Sequence, residues 1–281
     1  MNEEIFLCSI CNINSGTCKE DCKFCSQSVR YKADIERYKQ KPMEQILQEA
    51  QTARDNGALG FCLVTADKGL TDKSLKFVCD VAKEVQKVAP ELRLIGCNGT
   101  ATLEQLLILK GSGIKAYNHN LETSETFYPN ICTTHPWSER YETCQNVNAA
   151  GLTLISGGIF GLGESQEDRV AMLQSLKSLN PSSVPINFYH HNVALELEPN
   201  PLTTDEALAL IRLTRKTVDK AQRIMVAGGR ELMFGERQAE IFQNGANSIV
   251  IGNYLTTKGR GMHQDLEMLR SLHLEVAKKV N

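Results

Sequence analysis

The sequence predicts an α/β fold, a (β/α)8 barrel of the TIM type in which residues 1–281 form a single domain. Two observations predict it. Eight short runs of β-branched or aliphatic residues alternate with segments of helical period, and this alternation predicts eight β/α units. The length suits one barrel, and no internal repeat, linker or low-complexity run divides the chain. An open doubly wound sheet is the alternative, but no G-x-G-x-x-G motif follows the first strand.

The predicted elements follow from the spacing of apolar residues. Strands are the short runs rich in β-branched and aliphatic residues, at 5–10, 60–65, 92–97, 114–118, 153–160, 184–189, 223–227 and 248–251. Helices show an apolar period near 3.6, at 43–56, 71–88, 103–110, 138–150, 166–179, 203–219, 235–244 and 265–279. Because catalytic groups of such barrels lie at the carboxyl ends of strands, the polar motifs at those ends form the candidate site.

Composition narrows the function classes. A net charge of −2 gives no support for binding to nucleic acid or to an anionic membrane. No stretch approaches the ~20 apolar residues that span a bilayer, and the first residues do not resemble a signal peptide, so we expect a cytoplasmic protein. In that reducing compartment the 10 cysteines are expected to bind metal, to act in catalysis or to be buried, rather than to form disulfides.

Three cysteines lie close together on the loop after the first strand. Cys18, Cys22 and Cys25 form the pattern C-x3-C-x2-C. A cubane iron–sulfur cluster held entirely by protein needs four thiolates, so three leave one iron open to chelate a small molecule. The alternative is a four-cysteine zinc site with Cys8 or Cys11 as the fourth ligand, although zinc sites favour paired C-x2-C motifs.

This loop, with Phe24 just before the last cysteine, resembles the signature of the radical S-adenosylmethionine (SAM) superfamily. Further stretches narrow the resemblance: SQS at 26–28, YNHNLE at 117–122, SGGIFGLGE at 156–164, VPIN at 184–187 and GANS at 245–248. In this order and spacing, from about residue 8 to residue 274, the chain resembles the biotin synthase family. The resemblance implies insertion of sulfur into dethiobiotin.

The resemblance also implies how the cofactors are held. Cys18, Cys22 and Cys25 would hold a [4Fe–4S] cluster, and SAM would bind the open iron and be cleaved to a 5′-deoxyadenosyl radical. The expected SAM contacts are Phe24 near the adenine, Glu122 on the ribose hydroxyls, Arg140 on the carboxylate, and the backbone of Gly158 and Ile159 beside the adenosyl group. An electron donor such as flavodoxin or ferredoxin and a homodimeric assembly are further expectations.

The same resemblance assigns substrate contacts. Asn118, Asn120 and Asn187 would hydrogen-bond the ureido ring of dethiobiotin, a neutral group with donors and an acceptor that suits amides. Thr256 or Thr257 would bind the substrate carboxylate. For Asn118 the alternative is that its amide only satisfies loop backbone groups.

One part of the family pattern is altered. Family members hold a [2Fe–2S] cluster with three cysteines and an arginine, of which only Cys62 and Cys97 are matched, because Ile155 and Met225 occupy the other two positions. We therefore predict a relocated auxiliary cluster, of four-iron type and with an extra sulfide for donation, on Cys8, Cys11, Cys62 and Cys97. It requires a bend in the first strand, since Cys8 and Cys11 would point to opposite faces of a regular one. The alternative is that Cys8 and Cys11 are buried and inert.

Two other functions stay open. One is a related radical SAM enzyme without sulfur insertion, of the hydrogenase maturase or methylornithine synthase type, which the stretches at 117–122 and 184–187 disfavour. The other is a non-catalytic zinc protein or iron–sulfur carrier. Cys79 and Cys144 fit helical core positions, and Cys132 lies in a loop without an identifiable partner, so these three receive no role.

Overall fold

The structure is a computed structural model that describes residues 4–198, 200–252 and 261–279. These residues form a closed barrel of parallel strands inside a layer of helices, so the predicted (β/α)8 fold is confirmed. The strands are β1 (Phe6–Asn12), β2 (Gly60–Val64), β3 (Arg93–Cys97), β4 (Ala116–Asn118), β5 (Thr153–Ile155), β6 (Gly158–Phe160), β7 (Ser183–Phe188), β8 (Arg223–Val226) and β9 (Ser248–Val250). The helices are α1 (Met43–Asp55), α2 (Asp72–Val88), α3 (Leu103–Gly111), α4 (Trp137–Ala149), α5 (Gln166–Leu179), α6 (Thr204–Thr217), α7 (Arg230–Phe234), α8 (Glu240–Gln243) and α9 (Met262–Ser271).

The barrel closes on itself through parallel pairs. The strand order is β5-β4-β3-β2-β1-β9-β8-β7-β6, and a contact between Ile155 and Ser183 joins β5 to β7 and completes the circle. Because the paired strands are all parallel, their carboxyl ends lie on one rim of the barrel. That rim is where the candidate site was expected.

The fifth barrel strand is interrupted, which corrects the continuous strand predicted over 153–160. Between β5 and β6 a side chain at Gly157 would overlap the carbonyl oxygen of Pro185, so the backbone lies closer to β7 than a regular strand with side chains allows. β6 then pairs with β7 and forms a β-bridge between Gly158 and Glu122. The interruption therefore brings the second half of this strand against the loop that follows β4.

Two apolar layers lie on opposite sides of the barrel wall, because successive side chains of a strand point to opposite faces. The outer layer packs the strands against the helices and includes Leu7, Cys11 and Phe61. The inner layer fills the barrel and includes Phe6 and Cys8. Whether a strand residue can reach the interior therefore depends on its position in this alternation.

Two predicted helices differ from those observed. The helix predicted at 235–244 is replaced by a 3-10 turn (Gly235–Ala239) and the short helix α8, and α7 comes before this range. The helix predicted at 265–279 ends at Ser271, because the chain turns at His273 and the segment beyond it bonds the backbone of Ile5. Within the described residues, no helix has the length and apolar content to cross a bilayer.

Candidate active site

A cavity of about 260 Å³ opens at the carboxyl ends of the barrel strands. Its size is near the lower end of small-molecule sites in proteins. Many of the residues singled out in the sequence line it together: Cys8, Cys18, Cys22, Phe24, Cys25, Cys62, Cys97, Asn118, Asn120, Glu122, Arg140 and Asn187. The three-cysteine loop, three of the predicted SAM contacts and three cysteine-bearing strands thus share one space.

The three-cysteine loop is held by Gln27 and by its own turns. Gln27 Oε1 accepts hydrogen bonds from the backbone N of Gly16 at 2.5 Å and from Ser15 Oγ at 3.3 Å. The backbone N of Cys25 donates to the carbonyl of Cys22 at 3.0 Å. These contacts direct three sulfurs into one cavity.

The cysteines of this loop fit an iron–sulfur cluster. Burial raises the pKa of Cys25 to about 11, and burial also raises the pKa of Cys18. The pKa of Cys22 is raised too, by its hydrogen bond with Cys132 and by burial. A buried thiolate is costly unless a positive charge is bound to it, and the iron ions of a cluster supply that charge. The donor set therefore suits the [4Fe–4S] cluster that the sequence predicts.

Arg140 and Glu122 form the charged pair of the cavity. Arg140 Nη1 lies 3.6 Å from Glu122 Oε1, and its Nε donates to the hydroxyl of Tyr128 at 2.7 Å. Burial raises the pKa of Glu122, against the opposing effect of Arg140. Glu122 Oε2 is buried and has no hydrogen-bond partner within the described part of the chain. It is an available acceptor where the sequence predicts the ribose hydroxyls of SAM.

The three asparagines are in different situations. Asn120 Oδ1 accepts a hydrogen bond from the backbone N of Gly157 at 3.1 Å. Asn187 donates to the carbonyl of Gly158 at 3.2 Å and accepts from the backbone N of Gly228 at 2.9 Å. Both side chains therefore brace neighbouring backbone.

Asn118 keeps an acceptor available. Its Nδ2 faces Cys97 Sγ at 3.6 Å, but its Oδ1 is buried without a hydrogen-bond partner among the residues that the structure describes. A buried amide oxygen in this state is costly unless a ligand donates to it. Of the three asparagines, Asn118 is therefore the one whose amide oxygen is available to a ligand.

The remaining predicted contacts are not among the residues that line the cavity. Gly158 and Ile159 are on β6 beside Glu122, whose carbonyl accepts from the backbone N of Ile159 at 2.8 Å. Thr256 and Thr257 lie outside the described residues.

Cys8, Cys62 and Cys97 converge inside the barrel. All three belong to the inner apolar layer, which also contains Ile155 and Met225. Cys62 and Cys97 are hydrogen-bonded, which raises the pKa of Cys62 and lowers that of Cys97. Burial raises the pKa of Cys8 to about 12, with a smaller effect from Cys97. Three inward cysteines are therefore close enough to influence one another.

Cys11 does not join them, because β1 does not bend as the prediction requires. The strand pairs with β2 in unbroken register from Cys8 opposite Gly60 to Asn12 opposite Val64. Cys11 is fully buried in the outer layer, where its pKa is raised by burial and then by the charge of Glu49 on α1. The two cysteines of β1 thus lie on opposite sides of the barrel wall.

Two residues beside the cluster loop were missed in the sequence. Cys132 Sγ lies 3.6 Å from Cys22 Sγ, and His135 Nδ1 lies 2.6 Å from Glu20 Oε2. His135 Nε2 is also 2.8 Å from the hydroxyl of Tyr128. The C-x-x-H spacing of Cys132 and His135 was the available signal.

The comparisons with known proteins agree with this geometry. Residues 13–176 match the Radical SAM superfamily, and residues 185–275 match the Biotin and Thiamin Synthesis associated domain. The biotin synthase of Sulfurimonas denitrificans is 75% identical over 280 residues, covering 100% of both chains. The chain belongs to the biotin synthase family. A second biotin synthase, from Aliarcobacter butzleri, is 57% identical over 276 residues and covers 98% of each chain.

Family membership also decides between the alternatives. The chain is a radical SAM enzyme, so a [4Fe–4S] cluster and SAM belong to it, and the zinc protein is not supported. A solved methylornithine synthase superposes with a TM-score of 0.83, covering 98% of this chain and 84% of that one. At 18% identity this likeness shows the barrel fold alone. The alternative of a related radical SAM enzyme without sulfur insertion is therefore not favoured.

Proposed function

We propose that this chain converts dethiobiotin to biotin by SAM-dependent sulfur insertion. The observation that carries the proposal is a single cavity that unites the three-cysteine loop with inward cysteines of two further strands, Cys62 and Cys97. The proposal extends to the chain the activity named for relatives that match it over its full length.

We infer the places of the two cofactors from the residues that line the cavity. Cys18, Cys22 and Cys25 would hold the [4Fe–4S] cluster. When bound, the cluster and SAM supply a 5′-deoxyadenosyl radical able to remove hydrogen from unactivated carbon. Arg140 would pair its guanidinium with the SAM carboxylate, and Glu122 Oε2 would accept from the ribose hydroxyls.

The chain itself positions the reactants and excludes water. Arg140 is fixed by hydrogen bonds to the Tyr128 hydroxyl and, at 3.1 Å, to the carbonyl of Asn120, so its guanidinium is oriented before SAM arrives. The inner layer below is apolar, which keeps solvent away from a reactive carbon centre. Asn118 Oδ1 would accept an N–H of the ureido ring.

We propose that the auxiliary cluster is held by Cys8, Cys62 and Cys97, of the four cysteines predicted. If Cys8, Cys62 and Cys97 hold a four-iron cluster, one iron would remain for an extra sulfide, which would supply the sulfur for donation. Cys11, across the barrel wall, serves as the matched control.

Iron content tests this ligand set. Reconstituted parent protein should hold about eight irons per chain, against about six with a [2Fe–2S] auxiliary cluster. Cys8→Ala should lower the count toward about four and abolish biotin formation, whereas Cys11→Ala should retain both. Equal iron loss in the two variants would contradict the assignment, and so would full iron in Cys8→Ala.

Further parts of the proposal concern other residues and the partners of the protein. Thr256 or Thr257 is proposed to bind the substrate carboxylate, and Gly158 and Ile159 to border the adenosyl group. We also propose a flavodoxin or ferredoxin as electron donor, a homodimer, and a single barrel domain over residues 1–281.

An anaerobic assay tests the function. Reconstituted protein is incubated with SAM, dethiobiotin and a reductant, and the products are read by mass spectrometry. Biotin or a thiolated intermediate should form together with 5′-deoxyadenosine. Deoxyadenosine release that dethiobiotin does not stimulate, with no sulfur-containing product, would overturn the proposal.

A further inference from the structure

We propose that the cluster-free chain holds a single divalent transition-metal ion, of the zinc or ferrous type, on Cys22, Cys132 and His135. This site shares Cys22 with the cluster loop, so a metal ion here and the [4Fe–4S] cluster exclude each other. The inference goes beyond the proposed function, since it concerns the protein before its cluster is assembled.

The three ligand atoms already lie at the spacing of a metal site. Their Sγ, Sγ and ring nitrogen atoms are all within 4.8 Å of one another, and all three residues are buried. Cys22 Sγ and Cys132 Sγ are 3.6 Å apart, and Cys132 Sγ is 3.4 Å from His135 Nδ1. A tetrahedral zinc ion with bonds of about 2.3 Å to sulfur and about 2.0 Å to nitrogen separates these pairs by about 3.8 and about 3.5 Å. These two pairs need little movement to admit the ion, and the third pair, Cys22 Sγ and the ring nitrogen, which lies within 4.8 Å, would have to close to about 3.5 Å.

Two carboxylates stand where a fourth ligand is required. Glu20 Oε2 lies 2.6 Å from His135 Nδ1, and Asp21 Oδ1 lies 3.4 Å from Cys132 Sγ. Asp21 is already held by four hydrogen bonds from Thr133 and Thr134. Glu20 is therefore the better placed to move onto a metal ion, since its bond to His135 is replaced when the ion binds.

The second ring nitrogen of the histidine is also supported. Its Nε2 is 2.8 Å from the hydroxyl of Tyr128, which also accepts from Arg140. Metal-binding histidines usually donate their other ring N–H to such an outer partner, which fixes the ring for coordination. Binding would release the two thiol protons and any proton on Nδ1 to solvent.

The donor set indicates which ions compete. Two thiolates, an imidazole and a carboxylate suit zinc, and zinc binds such sites more tightly than ferrous iron does. A zinc ion here would occupy Cys22 and delay cluster assembly. A ferrous ion would occupy the same place more weakly and could be displaced as the cluster forms.

Cobalt binding to the full-length, cluster-free protein tests the site without any assay of the loaded enzyme. Under anaerobic conditions, about one Co²⁺ per chain should bind with thiolate-to-cobalt charge transfer and the visible bands of tetrahedral cobalt. Loss of an outer partner of a metal site costs about 10–100-fold in affinity, so Cys132→Ala and His135→Gln should each cost at least about 100-fold. Circular dichroism checks that each variant is folded.

A double variant separates this site from the cluster cysteines acting alone. Cys18→Ala/Cys25→Ala should retain cobalt binding, because neither sulfur belongs to the proposed site. Cys79→Ala on α2 is the matched control for loss of a buried cysteine. If the double variant loses cobalt while Cys132→Ala retains it, the cluster loop is the binding site and the proposal is wrong. Absence of tetrahedral cobalt in the parent protein would also overturn it.

Discussion

The mouth of the cavity is lined by charged side chains, whereas its floor is lined by uncharged ones. At the mouth, a carboxylate faces each basic side chain, in a group formed by Glu20, Glu122, Tyr128, His135 and Arg140. At the floor the side chains are apolar or neutral, in a group formed by Cys8, Cys62, Cys97, Asn118, Ile155 and Met225. Burying an unpaired charge is costly, so a charged ligand group belongs at the mouth and a neutral ring at the floor. The proposed positions of SAM at the mouth and of dethiobiotin at the floor follow this difference in polarity.

The largest expected effect is the loss of SAM cleavage when a cysteine of the cluster loop is replaced. Cys18→Ala, Cys22→Ala or Cys25→Ala should abolish SAM cleavage, because each removes one of the three thiolates proposed to hold the cluster. Release of 5′-deoxyadenosine, measured by chromatography, checks this. Cys79→Ala should leave it unchanged. Parent-level release by any of the three variants would remove that residue from the cluster.

A second comparison isolates the floor. Cys62→Ala should lose biotin formation and still cleave SAM, since its sulfur lies in the inner layer, away from the charged mouth. Both products can be quantified in one mass-spectrometric assay. Loss of both activities together would mean that floor and mouth are not functionally separate.

Arg140→Lys should affect the mouth alone. Lysine keeps the charge but cannot form the guanidinium fork that bonds Tyr128 and Asn120 while pairing with a carboxylate. We expect SAM affinity to fall by roughly ten- to hundredfold, the equivalent of about 1.5–3 kcal/mol. Equilibrium binding of SAM to the reconstituted protein measures the effect, and dethiobiotin affinity should change little.

Asn118→Ala should do the opposite of Arg140→Lys and weaken dethiobiotin binding instead of SAM binding. It removes the acceptor without a partner at the floor, so dethiobiotin binding should weaken by about 1–3 kcal/mol while SAM binding is retained. Asn187→Ala is the instructive comparison, because that amide bonds Gly158 and Gly228 and its loss should lower thermal stability instead. If Asn118→Ala binds dethiobiotin normally, the ureido ring lies elsewhere.

The smallest expected effect is on stability at low pH, through a hydrogen bond close to Glu122 at the mouth. Ser124, two residues after Glu122, donates to Asp168 at 2.6 Å, and this hydrogen bond lowers the pKa of Asp168. A carboxyl whose pKa is lower in the folded state stabilises the protein fully above its unfolded pKa, near 3.8–3.9, and this stabilisation is lost as the pH falls below that value and through the lower pKa of the folded state. Asp168→Asn should therefore make the loss of thermal stability below about pH 4 less steep, by about 1 kcal/mol or less.

The alternation of strand and helix patterns along the sequence predicted the barrel. Local apolar spacing is enough to tell which segments are strands and which are helices. The interruption of the fifth strand was not predictable, because it depends on contact between Gly157 and Pro185 on different strands. The outward direction of Cys11 was implied by strand alternation, and the bend assumed to overcome it does not occur. The pair of Cys22 and Cys132 joins residues far apart in the chain, which no local pattern reports.

The crowded backbone at the interruption of the fifth strand has a consequence for mutational scanning. Substitutions at Gly157 would push against β7, and substitutions at Gly158 would meet Met172 and the carbonyl of Glu122. A scan scored only by biotin-dependent growth would rank both positions with the cluster cysteines, although neither glycine contributes a reactive group. Scoring the same library for protein abundance would separate them, because damage here lowers the amount of folded protein, whereas loss of a cluster thiolate lowers activity per molecule.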